Sequence, residues 1–417
     1  MHDLKGVVVL IKPKISLTEF GFLLAIFTAP WGPVIRYAGW LLAIIGLAID
    51  KRKGHSFRGF MDPMVSWSLM LLIISAFGVS FGILQDSLHS WGRGFSLVLE
   101  FVFAIWLAAY VLKEPGAIKR WKYVWLAGII LSILHLTTGE FGLFPKRLFS
   151  NINTTGIYFL IILPFVLAMY FECESSMEEW LLGGLFYVCL FCIILSFSSA
   201  AWVGAFAALM IQLIISPFSL RKLKVMGFLL LIYLPLGVLV LYSCVDIHGT
   251  DLVKLFEREV CQLFSFKDLD TLTTHRIHIW KGSLQMLRER PFTGWGWGNF
   301  SDIFASFHES LWDAAATHLD VHVYTGHSMY ANLAVFGGIP ALFLVLWVYL
   351  RCGWNSFVKI KRKMHDQYIQ CAIFASIAGQ LVYGIAGDVF SFRSKGAILF
   401  WTLLGIAALK KRETGDI

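Results

Sequence analysis

Apolar residues along this chain come in long runs, and polar residues collect in the gaps between them. The runs fall at about 16–32, 34–50, 63–84, 94–112, 122–138, 154–171, 180–196, 199–216, 225–243, 328–350, 368–387 and 396–409. A helix needs about 20 apolar residues to cross a bilayer, so the pattern predicts an all-α polytopic membrane protein with about twelve transmembrane helices. The first two runs are the weakest, because Pro30 and Pro33 separate them closely. One gap differs from the rest: residues 244–326 form a long polar segment, whereas the other connections are short. The chain therefore divides into three parts. Residues 1–243 make an N-terminal transmembrane bundle of about nine helices, residues 244–326 an outer loop with amphipathic helices, and residues 327–417 about three more transmembrane helices.

Composition agrees with this division. The chain has 417 residues, 58% hydrophobic and 15% charged, with a mean hydropathy of +0.70. An ordinary soluble chain carries about 25% charged residues. Two or three soluble domains, disorder, collagen and a disulfide scaffold are all excluded. The three lysines before the first run precede no small-residue cleavage site, so that run is expected to remain as an anchor. The seven cysteines form no CxxC pair and read as small hydrophobes. Only Cys244 and Cys261 share a polar segment where a disulfide has room to form.

Charge placement gives direction. Outside the long loop, most Lys and Arg fall in alternate gaps: Lys51–Arg58, Lys113–Lys122, Arg221–Lys224, Arg351–Lys363 and Lys410–Arg412, with Lys5, Lys12 and Lys14 before the first run. The positive-inside rule then predicts N-in, C-in topology, with residues 244–326 on the outer face. The net charge of +8 is read mainly as this topological address. Nothing in the chain resembles a nucleic-acid module.

Within the outer segment, 251–264 is amphipathic through Leu252, Leu255, Phe256, Val260 and Leu263. Residues 274–290 read as a second helix, capped by Thr274 and stopped by Pro291, with Arg276, Trp280, Ser283 and Leu287 on one face. The sequence GWGWGNF follows. Its alternating Gly294, Gly296 and Gly298 demand unusual backbone angles or a close approach by another group.

Few residues offer chemistry. His327 opens the tenth apolar run, where an imidazole titrates near neutrality and can act as a base, or can be an ordinary interfacial histidine. Arg276 is either a surface arginine or a phosphate ligand, for which its planar, permanently charged fork is suited. Arg288 and Arg290 complement the helix end or meet lipid headgroups. The stretch from Lys146 and Arg147 to Asn153 and Thr154 opens the sixth run. It either caps that helix or lines an outward cavity. His318 and His322 have the spacing of a metal pair but lack an obvious third ligand, so no metal is assigned. His275, His278, Asp302 and Asp320 are polar residues without a distinguishing context, and Asp388 and Arg393 are close enough in sequence to pair. No P-loop, GxSxG or acidic DxD cluster is present.

Taken in chain order, these pieces resemble the O-antigen ligase/polymerase superfamily of bacterial membrane glycosyltransferases. Four features carry the resemblance. They are the twelve-run layout with a late outer loop; Arg147 before Asn151, Ile152 and Asn153; Arg276 and Trp280 followed by Pro291 and GWGWGNF; and His327 before an apolar run with Gly337 and Gly338. Together they spread over much of the chain. Two departures matter. Ser199 stands where many members have an arginine opening the eighth span, so a second diphosphate ligand must come from elsewhere. Arg147 and Arg93 are the outer arginines to test. The usual His-Asn pair also reads His327-Ser328, which bears on how the histidine is oriented.

The resemblance implies a GT-C-like, metal-independent enzyme without cofactor, in the bacterial inner (cytoplasmic) membrane, with its site on the periplasmic face. Its donor would be a glycan on undecaprenyl diphosphate. Its acceptor would be a glycan or lipid-linked hydroxyl, the lipid A-core sugar for a ligase, and membrane lipids would surround it. Catalysis would rest on His327 as base. Arg276, Arg147, Asn153, Trp280 and Arg93 would bind substrate, and Trp295, Trp297 and Trp312 would offer faces to sugars or anchor at the interface. Polymerase and protein O-oligosaccharyltransferase activities share these motifs. A flippase or transporter for a lipid-linked glycan is the alternative from another class. It fits less well, because the runs are nearly free of charge apart from Glu100. A non-catalytic envelope scaffold would use the same cluster for packing.

Overall fold

The computed structural model describes residues 15–29, 33–82, 88–114, 116–137, 152–217, 219–243, 257, 260–261, 276–297, 300, 303–304, 307, 326–364, 366–388 and 397–410. Thirteen named helices occur among them: α1 (Leu17–Phe27), α2 (Pro33–Arg52), α3 (Pro63–Gly82), α4 (Leu88–Leu112), α5 (Ala117–Thr137), α6 (Ile152–Glu172), α7 (Ser176–Ile194), α8 (Ser199–Ile215), α9 (Leu220–Ser243), α10 (Arg276–Glu289), α11 (Met329–Lys361), α12 (Gln367–Tyr383) and α13 (Ala397–Ala408). No strand appears among the described residues; one isolated bridge joins Met61 and Leu409.

Each apolar run contains one helix, but the helices are not equal. Four are long and apolar enough to cross a membrane by themselves: Phe95–Leu112, Asn153–Glu172, Ser176–Ile194 and Met329–Lys361. Leu17–Phe27, Pro63–Phe77, Ser199–Ile215 and Ala397–Ala408 are shorter apolar helices. The 11 residues of α1 rise only about 16 Å. The apolar run there continues past the helix, which stops at Thr28. What α1 lacks in length it recovers in packing on α2. A Cβ on Gly21 would lie 2.4 Å from the Ala43 nitrogen and one on Gly39 2.7 Å from the Ala25 nitrogen, so the two backbones touch.

The core runs along α6, which is buried over nearly all of its length. It packs against α7, α8 and α12. Helices at the periphery keep large apolar side chains exposed, among them Leu41, Ile44 and Ile45 on α2 and Phe228, Leu231 and Leu234 on α9. In water such continuous apolar faces are a liability; against lipid tails they are stable. This is a membrane protein.

Antiparallel succession puts the basic segments together at one end of the bundle, where they tie helices to each other. Asp62 caps α3 by accepting from the Met64 and Val65 amides at 2.9 and 3.3 Å. Its other oxygen accepts from Arg351 at 2.9 Å and Asn355 at 3.1 Å. Its own amide donates to the Ala408 carbonyl at 2.7 Å. Burial pushes this carboxyl up, but the donors from Arg351, Asn355 and Val65 outweigh it and hold the group below the usual carboxylate range. Lys222 donates to the carbonyls of Tyr170, Phe171 and Cys173 at 3.1, 2.6 and 2.7 Å, closing the C-terminus of α6. Arg120 pairs with Glu19 at 2.6 Å and Lys122 with Glu172 at 2.5 Å. The opposite end carries His327.

Candidate functional site

The site is assembled from three chain segments. α10 begins at Arg276 and ends at Glu289, two residues before Pro291. The expected face is partly realised: Ser283 is buried, Trp280 and Leu287 are half-buried, and Met286 is fully buried beside them. The Trp280 indole nitrogen is buried without a hydrogen-bond partner among the described residues.

The glycine-rich turn after α10 packs onto a break in α11. Gly337 and Gly338 leave helical geometry there, with Gly338 at φ 71° and ψ −173°. Pro340 has no N–H, so the Phe336 carbonyl loses its helical partner; it accepts from the Gly296 amide at 2.9 Å instead. The Ile339 amide donates to the Pro291 carbonyl at 2.8 Å, and the Val335 carbonyl accepts from the Trp295 amide at 2.8 Å. Three backbone groups at the break are thus paired by the turn. The approach is close enough that a Cβ on Gly294 would sit 2.6 Å from the Gly338 nitrogen. This is the physical reason for glycine at 294.

Trp295 and Trp297 take part in this joint. The Trp295 indole donates to the Met286 carbonyl at 2.8 Å, capping α10. Arg290 lies 4.0 Å from the centre of the Trp295 ring, a cation–π contact at the helix end. Trp297 is 1% exposed and packs on Phe336.

His327 lies between this joint and the start of α11, in the left-handed region at φ 46°. Three residues hold the chain on either side of it. Ser328 caps α11, accepting from the Ala331 amide at 3.5 Å, and its hydroxyl donates to the Gly384 carbonyl at 3.1 Å. The Met329 amide donates to the Gly384 and Gly387 carbonyls, each at 2.9 Å. Asn332, fully buried, accepts from the Gly326 amide at 2.7 Å and donates to the Asp388 carboxylate. Arg276 donates to the Ala386 carbonyl. The turn at 384–388, after α12, therefore holds both the arginine and the histidine segments.

Burial pushes the His327 imidazole below its ordinary range, and the nearby Arg276 guanidinium lowers it further. Both act against the charged form. His327 is therefore neutral at pH 7 and can accept a proton. The sign of the coupling gives a test. Removing the guanidinium in Arg276→Gln should raise the imidazole pKa, so the acid limb of the activity profile should move to higher pH. Measuring rate against pH in both proteins checks this; an unmoved limb would separate the two residues electrostatically.

The remaining site residues divide into those the structure places and those outside the described residues. Asn153 lies in the first turn of α6, one residue past its start, and accepts from the Ser198 hydroxyl at 2.8 Å. It joins α6 to α8 instead of capping α6. Ser198 precedes Ser199, where the expected arginine is missing, and follows Phe197, itself left-handed at φ 47°. Arg147, Asn151, Thr274, His275, Asp302, Trp312, His318, Asp320, His322, Arg393 and most of 251–264 lie outside the described residues, as do the side chains of Arg93 and His278. Cys261 is exposed, and its candidate partner Cys244 is also outside them. The roles of Asn332 and the 384–388 turn escaped the sequence reading. The available signal was a buried amide in an apolar run, five residues after His327.

Residues 184–346 match the family model described as O-antigen ligase. The match holds both Arg276 and His327 and stops before the 384–388 turn. No curated protein matches the chain. The segment that carries Arg276, the glycine-rich turn and His327 is thus similar to the O-antigen ligase family.

Proposed function

We propose that this protein is an inverting glycosyltransferase that moves a glycan from undecaprenyl diphosphate to an acceptor hydroxyl on the outer face of the inner membrane. The observation that carries the reading is the joint anchoring of Arg276 and neutral His327 on the 384–388 turn, inside and beside the matched segment. In this reading His327 takes the proton from the acceptor hydroxyl, and the oxygen attacks the anomeric carbon. The bond from that carbon to the diphosphate breaks on the opposite side, which inverts the configuration. Charge grows on the departing diphosphate, and Arg276 stabilises it.

N-in, C-in topology follows from the basic end of the bundle, which the positive-inside rule assigns to the cytoplasm and which lies opposite His327. Among acceptors, we assign a lipid A-core sugar, making the protein a ligase. The test is a panel of acceptors supplied with one undecaprenyl-diphosphate glycan: lipid A-core, a second lipid-linked glycan, and a hydroxyl-bearing protein. The expected product is on lipid A-core alone. Product on the second glycan would make it a polymerase, and product on protein a protein transferase. Translocation of the donor without any transfer would support the flippase alternative.

A further inference from the structure

At the basic end, away from His327, a cavity of about 1380 Å³ opens between α5 and α7, with Met169 of α6 among its lining residues. Its walls are apolar: Leu126, Ile130 and Leu134 on α5, and Leu181, Leu185 and Val188 on α7. Ile130 is 44% exposed, Leu134 50% and Leu181 62%, so the groove is open at the side to whatever surrounds the bundle. From Lys119 to Leu134 the α5 wall rises about 22 Å. That is ample for an acyl chain within one leaflet, roughly half of a 30 Å hydrocarbon core.

The mouth of the groove carries both signs of charge. Lys119 lies on the α5 rim, Glu174 and Glu178 on the α6–α7 rim; Lys113, Glu114, Lys359, Asp366 and Lys410 also line the cavity, with Lys113 and Lys359 donating to backbone carbonyls and Asp366 accepting from Gln370. None of Lys119, Glu174 and Glu178 makes an ion pair among the described residues, whereas Lys122 and Glu172 between them are paired at 2.5 Å. Trp180, another exposed lining residue, stands near the same level and suits an interface. A purely anionic headgroup would be drawn to the lysine and repelled by the carboxylates. A headgroup with a phosphodiester and a primary ammonium satisfies both rims at once, through charge-assisted hydrogen bonds.

We propose that this groove is a binding site for an aminophospholipid of the phosphatidylethanolamine class. An acyl chain lies between α5 and α7, the phosphodiester meets Lys119, and the ammonium meets Glu174 and Glu178. The proposal rests on the chain being a membrane protein and is independent of the transfer reaction.

The test uses the full chain, purified and delipidated in detergent. It is titrated separately with palmitoyl-oleoyl phosphatidylethanolamine, phosphatidylcholine and phosphatidylglycerol, and bound lipid is counted by native mass spectrometry. Phosphatidylcholine keeps the phosphodiester but has no N–H to donate, so it isolates the ammonium. We expect phosphatidylethanolamine to bind about five-fold more tightly than either other lipid, a modest ratio because the mouth is solvated. The double variant Glu174→Lys/Glu178→Lys, at two exposed positions, should switch the preference to phosphatidylglycerol. Ile130→Trp should fill the groove and weaken all three lipids by about ten-fold. Equal binding of the three by wild type, a wild-type preference for phosphatidylglycerol or phosphatidylcholine, or a phosphatidylethanolamine preference that survives the charge reversal would each overturn the proposal.

Discussion

Alanine at His327 should reduce the transfer rate by about 10²–10⁴-fold, the range for losing a positioned general base, while the protein stays folded and still binds donor. The structural reason for expecting a folded variant is that the hydrogen bonds holding the chain on either side of His327 are made by its neighbours. Ser328 caps α11, Met329 donates to Gly384 and Gly387, and Asn332 joins Gly326 to Asp388. All of these survive the substitution. The left-handed backbone at φ 46° costs alanine about 1–2 kcal/mol, a little more than it costs histidine. The loss should fall on kcat with the donor KM nearly unchanged, because the base acts only as the acceptor hydroxyl begins to react. A large rise in KM with kcat preserved would make His327 a binding residue instead.

The second large effect is expected far from any titratable group. Gly338→Ala should both destabilise the protein and cost about 100-fold or more in activity, since a displacement near 1 Å at the reacting groups has that effect. Gly338 sits at φ 71° and ψ −173°, a region essentially closed to other residues at a cost of about 1–3 kcal/mol. A Cβ there would also lie 2.6 Å from the Phe292 carbonyl carbon. The glycine-rich turn would have to lift away, releasing the amides of Gly296 and Trp295 from the α11 break and moving the end of α10. Gly54→Ala is the control: φ is 81° there and nothing lies within 4 Å. It should cost only the backbone term, about 1 kcal/mol, with no loss of activity. Comparing thermal midpoints and rates of the two variants separates strain from close approach. Equal behaviour would show that the joint between turn and broken helix is dispensable.

The helices were legible in the sequence because a run of apolar residues in lipid leaves the backbone one common solution, with every hydrogen bond made within the segment. α6 and α7 fall where their runs lie. α1 does not fill its run, because apolar composition marks where lipid or core contact is favourable and not where hydrogen bonding stops. The site was half legible. Arg276 and His327 stand out as polar groups of useful chemistry at the edge of apolar runs. The glycines of GWGWGNF signalled a close approach, but the partner, the break at Gly337 and Gly338, lies some forty residues on and needed three dimensions to pair. Asn332 and the 384–388 turn were not legible, since a single amide in an apolar helix reads the same whether it orients a site or fills a core. Trp295 and Trp297 show the converse. Their indoles suit sugars, yet one caps a helix and the other is buried.

The most direct measurement follows both products of the proposed reaction together. Wild type and His327→Ala are reconstituted with an undecaprenyl-diphosphate glycan and lipid A-core, and released undecaprenyl diphosphate and glycosylated acceptor are quantified over time. Wild type should give equal amounts of the two products, with inverted configuration at the new bond, and the folded variant should lose nearly all of both. Transfer by His327→Ala at the wild-type rate, or retention of configuration, would contradict this mechanism.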